Sequence, residues 1–216
     1  MIQKDLLFQR ILERRLNTFA GIGGLNECTF EKDNGAVAPL FHARSYVSHW
    51  KQMEAESIGL LFWGPPGTGK TFAAACIANA FVESEDPFAP SVIMTTLGMV
   101  LQRSLALSPQ DREVYLQKLL GCSLLILDDF GMERQTEYAN EQVYGLINGR
   151  CLSGKPMILT TNLTVQQLKN PQTMVQHRIY DRVLEMCVPV CFDGESLRRE
   201  KAARRLQRYK ALTDPS

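Results

Sequence analysis

The chain lacks three things whose presence would point away from an ordinary soluble domain. It has no charge excess, with 24 basic and 23 acidic residues among 216, so its overall field marks neither a nucleic-acid coat nor a membrane-surface protein, and any polyanion contact must come from a local patch. It has no apolar run near the length of a membrane span, and an N-terminus carrying Lys4, Asp5, Arg10, Glu13, Arg14 and Arg15 lacks the apolar centre of a signal peptide, so a cytoplasmic location is expected. It has no C-x-x-C pair. Its six cysteines, Cys28, Cys76, Cys122, Cys151, Cys187 and Cys191, are scattered, and the one short spacing, Cys187 to Cys191, has no histidine within a few residues. Reduced, mostly buried thiols are therefore expected in preference to disulfides or a zinc site.

What is present begins with Gly64-Pro65-Pro66-Gly67-Thr68-Gly69-Lys70-Thr71, a complete G-x-x-x-x-G-K-[ST] run. The apolar stretch 58–63 before it reads as a buried strand, and the alanine-rich stretch 72–81 after it reads as a helix. Strand, glycine loop and helix together form a phosphate cradle: the glycines let the backbone approach the oxygens, and the helix presents its unpaired amides to the same anion. Lys70 is then placed for the β- and γ-phosphates and Thr71 for Mg²⁺, which makes the chain a nucleoside triphosphate binder with ATP and Mg²⁺ as its cofactors. A chance match in a glycine-rich turn is the bland alternative, and the flanking strand and helix weigh against it.

Further apolar stretches at 91–95, 123–127, 156–160 and 187–192 alternate with helical segments, which predicts an α/β fold with a five-stranded parallel sheet between helices. The third of these five strands ends in Asp128-Asp129, placing a carboxylate for Mg²⁺ and a second one to orient the attacking water; in isolation the pair reads equally well as the start of a solvated loop. The fourth ends in Thr160-Thr161-Asn162, where Asn162 is placed to sense the γ-phosphate or the water and is compatible with a helix N-cap. Residues 1–24 read as an amphipathic helix followed by a glycine hinge, Gly21-Ile22-Gly23-Gly24. Beyond Arg198 lies a basic run, Arg199, Lys201, Arg204, Arg205, Arg208 and Lys210, expected to be helical with Ala202, Leu206 and Tyr209 on one face. A solvated basic face and a contact with phosphate or a partner both remain open for it.

In order, these motifs resemble an AAA+ ATPase of the helicase-loader group that includes DnaC and DnaI, with the transposition helper IstB as a related member. The resemblance runs from about Phe30 to Arg198. It rests on the glycine loop, L-L-I-L-D-D-F-G at Leu124 to Gly131, I-N-x-R at Ile147 to Arg150, T-T-N-L at Thr160 to Leu163, R-I-Y-D-R at Arg178 to Arg182, and G-E-S-L-R at Gly194 to Arg198. It implies a P-loop NTPase core of AAA+ type over 25–198 with a reduced or absent C-terminal lid, and a basic tail over 199–216. It also implies that Arg182, with Arg178 as fallback, is an arginine finger for the next subunit, and that Arg198 is the sensor-2 arginine of its own. By spacing alone Arg182 with Glu185, or Arg178 with Asp181, reads instead as a surface ion pair.

The implied function is ATP-dependent loading of a DnaB-type replicative helicase on single-stranded DNA in DNA replication, with self-association into a ring or spiral and hydrolysis at subunit interfaces. Alternatives are an IstB-like transposition helper on duplex DNA, a nucleotide-gated binding module with negligible turnover, and a small-molecule kinase, against which the order of Asn162, Arg182 and Arg198 stands. Two departures from the pattern matter. Only about 55 residues precede the first core strand, so a helicase-docking module is expected to be reduced or missing, and the second acid is Asp129 where many AAA+ ATPases have glutamate, which shortens its reach to water.

Overall fold

The computed structural model describes all residues except 1, 20, 21, 34, 36, 38, 133–135 and 214–216, and the side chains of 2–5 are not described. The hinge glycine Gly21 therefore lies outside the described residues. In chain order the elements are α1 (Ile2–Thr18), α2 (Leu40–Ser48), α3 (Trp50–Ala55), β1 (Gly59–Trp63), α4 (Lys70–Val82), β2 (Val92–Thr96), α5 (Leu97–Ala106) and α6 (Pro109–Gly121). There follow β3 (Leu124–Phe130), α7 (Glu137–Leu152), β4 (Met157–Thr161), α8 (Val165–Lys169), α9 (Met174–Met186), β5 (Cys187–Cys191) and α10 (Leu197–Thr213).

The five strands pair in the order β2-β3-β4-β1-β5, all parallel. Because both faces are covered, the three central strands are mostly apolar: Leu61, Phe62, Leu124 to Leu127 and Met157 to Leu159 are all buried. Parallel pairing also brings every strand's carboxyl end to one edge of the sheet, where ligands of open α/β sheets bind. The glycine loop leaves β1 at that edge between β4 and β5, so Asn162 after β4 and Arg198 beyond β5 flank it, and β3 supplies Asp128 and Asp129 one strand further on.

Helix α4 follows the loop and starts two residues earlier than the alanine run suggests, at Lys70. It is buried on nearly every side, and Ala73, Ala74, Ala75 and Ala78 allow close approach to the sheet. Asn79 is the polar exception: its Nδ2 donates to the carbonyls of Leu25 and Cys28, both at 2.8 Å, pinning the N-terminal segment to α4. Helix α1 is docked as well: the Arg14 guanidinium donates to Ser84 O and Asp86 O, each at 2.8 Å, and Arg15 pairs with Glu83. Cys76, Cys122 and Cys187 are buried, Cys28 and Cys151 half-buried and Cys191 exposed, and all six are free thiols. Burial pushes the Cys76 thiol up to about 12, far from the thiolate a metal or an oxidant would use.

The I-N-x-R arginine is structural. Arg150 on α7 has no exposed surface and donates to the carbonyls of Leu120 (3.0 Å), Cys122 (2.7 Å), Ser123 (3.3 Å) and Pro156, tying the end of α6 to the starts of β3 and β4. Arg150→Met removes the guanidinium donor from those carbonyls and is expected to lower the unfolding free energy by about 2–4 kcal/mol. Urea denaturation checks this; an unchanged midpoint would show that the carbonyls find other partners.

Candidate active site

The glycine loop is shaped by contacts on both of its sides. Gly67 has φ +88°, and a Cβ there would run into Ser196 Oγ, while the Leu197 amide donates to Gly67 O at 2.9 Å, so the start of α10 rests on the loop. Gly69 has φ +98°, and a Cβ there would lie 2.8 Å from Val37 Cγ2. Substitution at either position is strained by φ and by contact alike. Thr68 braces the loop by donating to Pro65 O at 2.9 Å. Gly69 also serves as the N-cap of α4, whose first-turn amides supply the anion-binding end of the helix.

Lys70 is buried, and its Nζ donates to Gly64 O and Pro65 O at 2.7 Å each and to Asn162 Oδ1 at 2.9 Å. Burial pulls its pKa down, and the charges of Asp129 and Asp128 pull it back up. The bond to Oδ1 orients the Asn162 amide, leaving Nδ2 as a donor free to face a phosphate or a water. Thr71 Oγ1 donates to Asp128 Oδ1 at 2.9 Å, with Oδ2 at 3.2 Å. Thr160 Oγ1 donates to the same Oδ1 at 2.5 Å. A hydroxyl and a carboxylate converging from two elements form an oxygen pair of the kind Mg²⁺ accepts beside its waters, so these residues fit that ion.

Asp128 is buried at 6% exposure, and burial raises its carboxyl pKa above the ordinary value, against the lowering pull of the Thr160 and Thr71 hydrogen bonds. A carboxyl with a raised folded-state pKa costs stability once pH passes that pKa, and costs nothing below the unfolded value. Asp128→Asn is accordingly expected to melt up to a few degrees higher than the wild type at neutral pH, with the difference vanishing in acid, while losing Mg²⁺-dependent hydrolysis. Thermal melts across pH check the sign; a lower melting temperature at neutral pH would contradict it.

The cleft beside these groups encloses about 300 Å³ and is lined by Gly67, Gly69, Lys70, Thr71, Asp129, Asn162 and Arg198. The structure thus brings together, from separate segments, the glycine loop with Lys70 and Thr71, both aspartates, Asn162 and Arg198. Arg182 is not among the lining residues. It sits on α9, half-exposed, paired with Glu185 at 2.7 Å.

Sequence reasoning did not single out the N-terminal residues Lys32, Asp33 and Val37, and it named the tail residues Lys201 and Arg204 only as part of a basic run; all five line the cleft. Asn79 carries the signal for the first group, as a buried amide in an alanine-rich helix that must find carbonyls elsewhere. For the second group the signal is spacing, since Arg198, Lys201 and Arg204 recur every three residues on α10. The tail is helical as far as Thr213, residues 214–216 lying outside the described residues, and Leu206 and Tyr209 stand 55% and 64% exposed. Among the described residues no helix is long and apolar enough to cross a membrane.

The chain is similar to known proteins. The family described as IstB-like ATP binding protein matches residues 27–205. The replicative helicase loader DnaI of Bacillus subtilis is 27% identical over 77% of this chain and 55% of its own length. The replicative helicase loader DnaC of Escherichia coli is 26% identical over 87% of this chain and 76% of its own. The chain thus spans little more than half of the first of these relatives. A crystal structure of the DnaC helicase loader superposes with a TM-score of 0.62 at 22% identity, covering 75% of this chain and 92% of that one, and shows the shared fold. An AAA+ P-loop ATPase in its architecture, the chain belongs to the IstB-like ATP-binding protein family.

Proposed function

We propose that the chain is an ATP-dependent helicase loader, binding a DnaB-type replicative helicase and single-stranded DNA and hydrolysing ATP where its subunits meet. The observation that carries this reading is the match to a replicative helicase loader over 87% of the chain. When bound, ATP would supply the transferable phosphoryl group and Mg²⁺ the charge that neutralises its oxygens. The chain's own part is electrostatic and positional: the first-turn amides of α4 and Lys70 hold the phosphates, and Thr71 and Asp128 hold the metal. Arg198 reaches the same cleft from α10 and meets charge at the phosphate end. Asp129 would accept a hydrogen bond from the water that attacks the γ-phosphorus and take up its proton, and Asn162 Nδ2 would hold that water or an oxygen of the γ-phosphoryl group.

The full chain, mixed with ATP, Mg²⁺, single-stranded DNA and a DnaB-type helicase, tests the reading by size-exclusion chromatography with light scattering. Self-association and co-elution with the helicase that depend on ATP are expected; neither appearing would overturn it. The family match favours a second reading, a transposition helper. A preference for duplex over single-stranded DNA in the same assay, with capture of a transposase in place of the helicase, would select it.

A further inference from the structure

Strands β3 and β4 run in register as far as Leu127 opposite Leu159, and the next matched pair is Phe130 opposite Thr161. Between these pairs β3 carries one more residue than β4, and this bulge contains both Asp128 and Asp129. Asp129 takes φ +56°, a left-handed conformation that is costly for most side chains. A bulge at a strand end leaves the direction of its side chains loosely determined unless a neighbour closes it.

Thr160, 1% exposed, closes it. Its hydroxyl donates to Asp128 Oδ1 at 2.5 Å and accepts the Asp129 amide at 3.0 Å. A hydroxyl has one proton, an ionised carboxylate only accepts and an amide only donates, so the direction of both bonds is determined. Thr161 makes the equivalent clip one residue on, donating to Phe130 O at 2.7 Å and accepting the Leu163 amide at 3.1 Å, on either side of Asn162. Strand propensity does not account for the hydroxyl, because valine would fit a buried strand equally well. Thr71 also donates to Oδ1 of Asp128, but of these two hydroxyls only that of Thr160 also accepts the Asp129 amide.

We propose that Thr160 is a positioning residue for hydrolysis: its one hydroxyl fixes the metal-side carboxylate of Asp128 and the water-side residue Asp129 relative to each other. The inference rests on the reading of the cleft as an ATPase site.

Thr160→Val keeps the shape and removes the hydroxyl, whereas Thr160→Ser keeps the hydroxyl and removes a methyl. In the full chain, Thr160→Val is expected to lower kcat about 10- to 100-fold with KM for ATP held within about threefold, and Thr160→Ser to hold kcat within about threefold of wild type. In the nucleotide-free protein, hydrogen exchange at the Asp129 amide is expected to quicken at least about tenfold in Thr160→Val while Leu127 keeps its protection, and to stay slow in Thr160→Ser. Wild-type turnover in Thr160→Val, equal loss in Thr160→Ser at an unchanged melting temperature, or equal Asp129 exchange in all three proteins would each overturn the proposal. A wild-type chain with no turnover under loading conditions sinks the ATPase reading instead, and Asp129 exchange still decides for or against Thr160.

Discussion

Asp129→Asn is expected to cut ATP hydrolysis by about 10²–10⁴-fold, the usual worth of a positioned general base, while leaving ATP affinity within about threefold of wild type. Asparagine is the cleaner choice because Asp129 sits at φ +56°, where asparagine is better tolerated than most residues and alanine adds about 1–2 kcal/mol of backbone strain. Asp129→Ala should show the same kinetic loss with a lower melting temperature. Lys70→Ala behaves differently, because its ammonium is meant for the phosphates of ground state and transition state alike: binding and turnover should fall together. Fluorescent-nucleotide titration and phosphate release separate these outcomes. If Asp129→Asn hydrolyses at the wild-type rate, Asp129 is not the base. If the wild type itself is inactive with DNA and partner present, the chain is a nucleotide-gated binding module.

The residues that could be read in advance share one property: their chemistry is carried by a short local pattern. The apolar strand segments of the sequence lie within two or three residues of the observed strands because burial on both faces demands continuous apolar runs. Asp128, Asp129 and Asn162 follow such runs directly, so all-parallel pairing alone carries them to one edge of the sheet. The largest boundary error is the end of β3, which runs on to Phe130 through the bulge, and a bulge depends on the partner strand's register. Thr160 was legible only as a strand or cap residue, since its two bonds reach 32 and 31 positions back along the chain. Asp33 and Val37 reach the cleft just after Leu25 and Cys28, which Asn79 ties to α4 across more than 50 positions. Arg150 looked like part of a functional motif, yet its partners are backbone carbonyls at the ends of three elements. Local sequence encodes which groups are present, and long-range hydrogen bonds determine which of them meet.

Arg182, which the family resemblance offers as a finger for the next subunit, is not among the lining residues of the cleft, and its removal carries an expected effect of the same order as Asp129→Asn. If it completes a neighbour's site, Arg182→Ala should lower hydrolysis by about 10³-fold or more in the assembled state, the range seen for arginine fingers, and leave ATP affinity and the slow rate of the dilute monomer unchanged. If it serves only its ion pair with Glu185, 37% and 59% exposed, its loss should leave both the melting temperature and the rate near wild type. Mixing separates the two cases without a structure of the assembly. Arg182→Ala subunits keep intact aspartates, and Asp129→Asn subunits keep intact fingers. In a head-to-tail assembly formed at equal concentrations, roughly one interface in four then joins a complete site to a complete finger. Two inactive variants should therefore recover activity together, and only where ATP drives association. Mixtures as inactive as their components would show that Arg182 acts within its own subunit or not at all. Arg182→Lys should fail to rescue, because a lysine ammonium lacks the planar donor fork that spans two phosphoryl oxygens.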